Sequence, residues 1–239
     1  MTDLFRLTWR TFCTPKAGNS LAENEDAVAG EPDEGRFAIA DGASESAFAD
    51  AWARILVNTC VQTPGPWSSW LPAARELWRA EFGERELPWY AETKFEQGAY
   101  AAILTVVFRG AHWRATAVGD CCLFQVRGGR LLRAFPIRAS SQFDNRPSLV
   151  GSRRRQVGEP RARRRHAEGR LRSGDILFLM TDGLAQWFLK HAEAGGEPWN
   201  RLRALGVEEE FLACMQDLRD GRELRNDDVT LALIEPASS

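Results

Sequence analysis

The sequence predicts an α+β fold in which helix pairs cover the outer faces of stacked antiparallel sheets. Three observations carry that expectation. Strand-like runs occupy both ends and the middle of the chain, while stretches of helical period come in pairs between them. Consecutive strands of the middle segment are joined by short connections, as antiparallel strands can be. Apolar faces of sheets and helices must then bury one another, which stacked layers achieve.

In chain order, "LFRLTWRTFC" (4–13) alternates partially and reads as a first strand. A polar loop containing "AENEDAV" (22–28) leads to the apolar strand "RFAIA", which closes on Asp41-Gly42. A helix is expected directly afterwards, because Ala47, Phe48, Ala51, Trp52, Ile55, Leu56, Thr59 and Cys60 recur on one face, with Asp50, Arg54 and Asn58 outside. "PGPW" (64–67) ends it, and "SSWLPAARELWRAEF" restarts a helix with Trp70, Ala74, Leu77 and Trp78 on its stripe. From residue 98, "GAYAAILTVVF", "HWRATAVGD" and "CLFQVRGGRLLRAFP" follow as three or four strands. The last two are joined by Gly128-Gly129, a two-residue hairpin signal. The Arg-rich stretch 152–172, within an inserted flap of about 140–172, reads as a loop. "GDILFLMTDG" is then a buried strand running into a helix. One or two helices extend to about residue 220, and "DDVTLALIE" is a last strand.

A chain of 239 residues can bury a sizeable core, and no linker divides it, so a single domain over 1–239 is expected. A net charge of −2 gives no general reason to expect nucleic acid or a membrane as partner. The longest apolar stretch, "AYAAILTVVF", is half a membrane span, and the first ten residues lack the features of a secretory signal. Five cysteines, an odd number without CxxC spacing, argue against a disulfide framework and a zinc site, so a reducing cytoplasm is the expected setting. The three histidines, at 112, 166 and 191, stand far apart. Any metal would have to be held by oxygen.

Five aspartates flank apolar runs: Asp26 in "NEDA", Asp41 in "ADG", Asp120 in "VGD", Asp182 in "TDGL" and Asp227 in "NDDVT". Singly, each is explained as a turn former or helix cap. As a set brought into one cleft they would repel and raise one another's pKa, unless a multivalent cation neutralised them. Hard Mg²⁺ or Mn²⁺ suits such ligands, and two ions about 3.5–4 Å apart are a common device for phosphoester hydrolysis.

The order "NEDA", "ADG", "GD", "TDGL", "NDDVT" resembles the metal-dependent protein serine/threonine phosphatases of the PPM (type 2C) family, in bacterial form, from about residue 10 to the C-terminus. The resemblance implies a β-sandwich of two antiparallel sheets flanked by helices. It implies phosphoserine/phosphothreonine hydrolysis by a hydroxide bridging two Mn²⁺ or Mg²⁺ ions. Asp41 would bridge the two metals and Gly42 would offer its carbonyl to the second. Asp182 and Asp227 would complete the first, Glu25 and Asp26 would hold metal-bound waters, and Asp120 would help hold a third, weaker ion. The partner so implied is a phosphorylated protein, the substrate of a cognate kinase. No "GxSxG" or Cys-x5-Arg loop supplies a covalent nucleophile.

On the substrate side the pattern differs. Leu21 stands where many members carry a phosphate-gripping Arg, Ala43 follows the first Asp-Gly where eukaryotic members have His, and Asp228 replaces a common Asn. Lys16, in "PKAGN", is the candidate replacement grip, without the bidentate fork of Arg. A metal-binding recognition module with little turnover therefore remains the alternative. The cluster "RRRQVGEPRARRR" (153–165) is read as a flap beside the metals or a solvated loop, because it lacks the interleaved aromatics of a nucleic-acid surface.

Overall fold

The computed structural model describes residues 5–82, 98–144, 146–154 and 163–237. Eleven strands stand among them: β1 Leu7–Thr14, β2 Asp26–Glu31, β3 Arg36–Gly42, β4 Tyr100–Arg109, β5 His112–Val118, β6 Cys122–Arg127, β7 Arg130–Phe135, β8 Val150–Gly151, β9 Arg165–Arg170, β10 Ile176–Met180 and β11 Val229–Pro236. The helices are α1 Ala49–Gln62, α2 Trp67–Phe82, α3 Asp182–Glu193, α4 Pro198–Arg203 and α5 Glu208–Asp220. One sheet runs β1-β11-β10-β6-β7. The other runs β2-β3-β4-β5-β9, with β8 pairing β4. Every pairing is antiparallel. The α+β class and the sandwich are as expected.

The layers follow from residues two apart pointing to opposite faces. Along β10, Leu177 and Leu179 enter the core between the sheets, while Ile176, Phe178 and Met180 pack outward against α3, α4 and α5. Along β3, Phe37 and Ile39 enter that inner core and Ala38 and Ala40 face α1 and α2. Both faces are covered, which is why "ILFLM" is continuously apolar instead of alternating. Gly128 and Gly129 both take positive φ (53° and 69°), giving the expected hairpin between β6 and β7.

Five expectations need correction. The polar stretch at 22–28 is not all loop: β2 starts at Asp26. It reads weakly because Trp9 and Phe37 fill the space over Gly30, where a Cβ would lie 2.8 Å from each ring, so the strand brings few large apolar residues itself. Asp41-Gly42 does not open a helix. β3 continues through Gly42, and α1 begins at Ala49 after Phe48 takes a left-handed φ of 57°. Leu77 is 54% exposed, because the buried arc of α2 is Trp70, Leu71, Ala74, Trp78 and Phe82, and Leu77 lies about 20° past its edge. Part of the Arg-rich insertion is strand β9, pairing β5 at the edge of its sheet, while residues 155–162 lie outside the described residues. Three helices, not one or two, separate β10 from β11.

Candidate metal centre

The antiparallel meander brings the same kind of strand end to one edge of the sandwich. β2 begins at Asp26, directly opposite Asp41 near the end of β3 in the ladder. Asp120 lies in the turn from β5 to β6, Asp182 starts α3 two residues after β10, and Asp227 stands two residues before β11. Asp182 and Asp227 thus come from one sheet, Asp26 and Asp41 from the other.

Their electrostatics show how near they are. Burial pushes the Asp41 carboxyl well above the usual carboxylate range, and Asp26, Asp182, Asp120 and Asp227 each push it further. Burial likewise raises Asp26 well above that range, with the Thr230 and Thr181 side chains opposing and Asp228 and Asp182 adding to the rise. Asp120 is pushed up to about 7, first by burial and then by Asp182. Burial raises Asp182 too, with Arg225 opposing and Asp227 assisting. Two carboxylate oxygens, Asp26 Oδ1 and Asp120 Oδ1, are buried with no hydrogen-bond partner. Orphaned hard oxygens among like charges fit a divalent cation.

Among the described residues, no trio of acidic, His or Cys side chains is already closed around one point. Three of the acids instead lean on nearby donors. Arg225 Nη2 donates to Asp182 Oδ2, Thr181 Oγ1 donates to Asp26 Oδ2 (2.9 Å), and the Ser44 hydroxyl donates to Glu25, which also faces Lys16 Nζ at 3.9 Å. Glu25 is raised, chiefly by burial, with Ser44 and Lys16 opposing. Gly42 admits no side chain: a Cβ there would lie 2.8 Å from the carbonyl oxygens of Ala49 and Glu25. Lys16 is thus placed beside Glu25, while Leu21 is 69% exposed.

Residues the sequence reading did not single out for this role hold the ensemble. Asp228, buried, accepts from the backbone N–H groups of Lys16 and Glu25, both at 2.8 Å, so it fastens the candidate phosphate grip and a candidate ligand to the start of β11. Thr181, wholly buried, accepts from the N–H of Thr230 (3.0 Å) while donating to Asp26. Arg219 Nη2 donates to the carbonyls of Asp227 (2.7 Å) and Pro15 (3.0 Å). The only signal in the sequence was adjacency: each lies within eight positions of a motif aspartate.

The fold is thus a two-sheet antiparallel sandwich with outer helices and an acid-lined edge. The sequence model described as Protein phosphatase 2C matches residues 19–219, and the chain belongs to that family. Among curated proteins none matches. Solved structures with a similar fold include PppA, a key regulatory component of T6SS in Pseudomonas aeruginosa, at 20% identity and TM-score 0.65, covering 98% of this chain and 99% of that one. The serine/threonine phosphatase PstP/Ppp of Mycobacterium tuberculosis is similar at 16% identity and TM-score 0.65, covering 98% and 100%. A second PstP structure, of the catalytic domain with two manganese ions, matches at 16% identity and TM-score 0.63 over the same shares. At these identities the likeness is one of fold. No described helix is long and apolar enough to cross a membrane.

Proposed function

We propose that this chain is a metal-dependent phosphatase acting on phosphoserine and phosphothreonine in proteins, the substrates of a cognate kinase. The observation that carries the reading is the gathering of Asp26, Asp41, Asp120, Asp182 and Asp227 at one edge of the sandwich, with Asp26 opposite Asp41 in the ladder and Asp26 Oδ1 and Asp120 Oδ1 buried without a hydrogen-bond partner. Asp41, the carbonyl of Gly42, Asp182 and Asp227 would hold two Mn²⁺ or Mg²⁺ ions, with Glu25 and Asp26 acting through water and Asp120 serving a third, weaker ion. Such ions supply Lewis acidity, easing water deprotonation near neutral pH and offsetting charge on phosphoryl oxygens.

The chain's own residues do the rest. Gly42 lets backbone approach closely, and the Thr181 hydroxyl holds one oxygen of Asp26 in place. Asp228 holds the Lys16 loop over the centre so that its ammonium meets the substrate phosphate. The alternative, a recognition module with little turnover, draws on Arg225, a cation of the chain itself already paired with Asp182. Turnover of a phosphothreonine peptide, measured with added Mn²⁺ and after exhaustive chelation, decides between them. Rapid hydrolysis only with metal is expected. Metal and phosphopeptide binding without hydrolysis would favour the module, and activity surviving chelation would overturn the metal reading.

A further inference from the structure

Beside the acidic edge lies a groove of about 450 Å³ between α3 and the segment following α5. We propose that it binds a second anionic group of the phosphoprotein substrate, a flanking phosphate or acidic side chain; this rests on the phosphatase reading above. The groove is basic. Lys190, Arg219, Arg222 and Arg225 line it against the single acid Glu223, which His191 Nε2 (2.9 Å) and the Trp187 indole (3.4 Å) already engage. Two of the cations are committed: Arg219 to the Asp227 and Pro15 carbonyls, and Arg225 to Asp182. Among the described residues Lys190 and Arg222 make no ion pair or side-chain hydrogen bond, so the surplus positive charge is theirs.

Arg222 is there against local preference. α5 closes with the N–H of Glu223 on the Leu218 carbonyl (2.9 Å) and that of Arg222 on the Arg219 carbonyl (3.0 Å), a Schellman ending whose left-handed residue is ordinarily glycine. Here Gly221 stands one position early at φ −71°, and Arg222 takes the left-handed φ of 54°. Exchanging the two residues would relieve the backbone and move the guanidinium. The walls are fixed. The 3₁₀ turn Ser140–Gln142 is tied to α3 by Glu193, which accepts from both the N–H (2.7 Å) and the hydroxyl (2.5 Å) of Ser140. The groove adjoins the centre, since its lining includes Gly183 and Asn226, sequence neighbours of Asp182 and Asp227, and Arg225, which pairs with Asp182. A substrate presenting its phosphate to the acids would thus lay its flank along these cations.

The test compares wild type with Lys190→Gln/Arg222→Gly, the second change placing glycine where φ already suits it. Substrates are a small aryl phosphate and three phosphothreonine peptides with neutral, Glu-rich or second-phosphate flanks. Wild type should favour the anionic flanks by about tenfold in kcat/KM, through KM. The double variant should lose that preference and keep aryl phosphate turnover. A gain with both anionic flanks, or only with the second phosphate, identifies the anion and supports the groove. Binding of a phosphate-free Glu-rich peptide, followed by fluorescence anisotropy, reads the groove without catalysis. If nothing is hydrolysed yet the variant loses that binding, the phosphatase reading fails and the groove stands. If aryl phosphate is hydrolysed but wild type treats neutral and anionic peptides alike, or the variant keeps the preference, the groove is refuted and the phosphatase reading stands.

Discussion

Two buried aspartate environments in this molecule solve the same problem in opposite ways. Asp175, 1% exposed before β10, is surrounded by donors: Arg127 Nε (2.5 Å) and Nη2 (2.6 Å), Gln125 Nε2 (2.9 Å) and the Arg172 N–H (2.8 Å). Burial pushes its carboxyl up, and the Arg127, Arg172 and Gln125 bonds outweigh that, leaving it below the usual range. At the acidic edge the balance is reversed: burial and neighbouring carboxylates together drive Asp26, Asp41 and Asp120 upward, and two oxygens have no donor. A buried charge neutralised by the chain is structure. One left for something else to neutralise is a site.

Removing one carboxylate from each region should separate them most sharply. Asp41→Asn and Asp182→Asn, isosteric changes that remove one charge each, should cut metal-dependent turnover by about a hundredfold or more. Calorimetric metal affinity should fall in parallel, with the metal-free melting temperature unchanged or raised because repulsion is relieved. Normal binding and rate in both variants would leave these aspartates as the end of a strand and the start of a helix and nothing more. Asp175→Asn should do the converse, costing about 2 kcal/mol of stability by denaturant titration while sparing the rate of the folded protein.

The pH dependence carries a smaller effect of opposite sign in the two regions. A depressed carboxyl contributes stability above its unfolded pKa of about 4 and loses it as pH falls through the lower folded value. Asp175→Asn should therefore flatten the acid-side loss of stability. A raised carboxyl binds more protons in the folded state, so Asp120, at about 7, costs the metal-free fold stability progressively as pH rises from about 4 to about 7. Melting temperature should rise as metal-free protein is acidified from about pH 8 toward 5, and less so in Asp120→Asn. The smallest effect is the control: Asp33→Asn, exposed in a 3₁₀ turn, should stay within about 0.5 kcal/mol and leave turnover alone.

What the sequence made legible was whatever left a periodic or positional trace. β10 and β11 announce themselves because both faces are buried, and the Gly128-Gly129 hairpin because its dihedrals demand glycine. β2 left little trace, since Phe37 from the adjacent β3 and Trp9 from the opposite sheet supply its apolar cover. The five aspartates were legible as strand-edge acids, and the structure brings them within electrostatic reach of Asp41. Their supports were not, because Thr181 and Asp228 act through contacts across more than 150 positions of chain, which no local pattern encodes. Arg222 was invisible for another reason: its left-handed backbone is unusual only once the φ angle is known.

The Thr181 hydroxyl joins the two halves of the sandwich, accepting from Thr230 on one sheet and donating to Asp26 on the other. The spacing of the acids is therefore the spacing of the sheets, and the inner core of Ile39, Leu104, Leu177 and Leu179 is a spacer as well as a source of stability. Exchanging one of these side chains for a bulkier or slimmer one, well away from any carboxylate, would retune the centre by changing how far apart its two contributing layers stand. Residues with no chemistry of their own thereby set how the acid-lined edge is arranged.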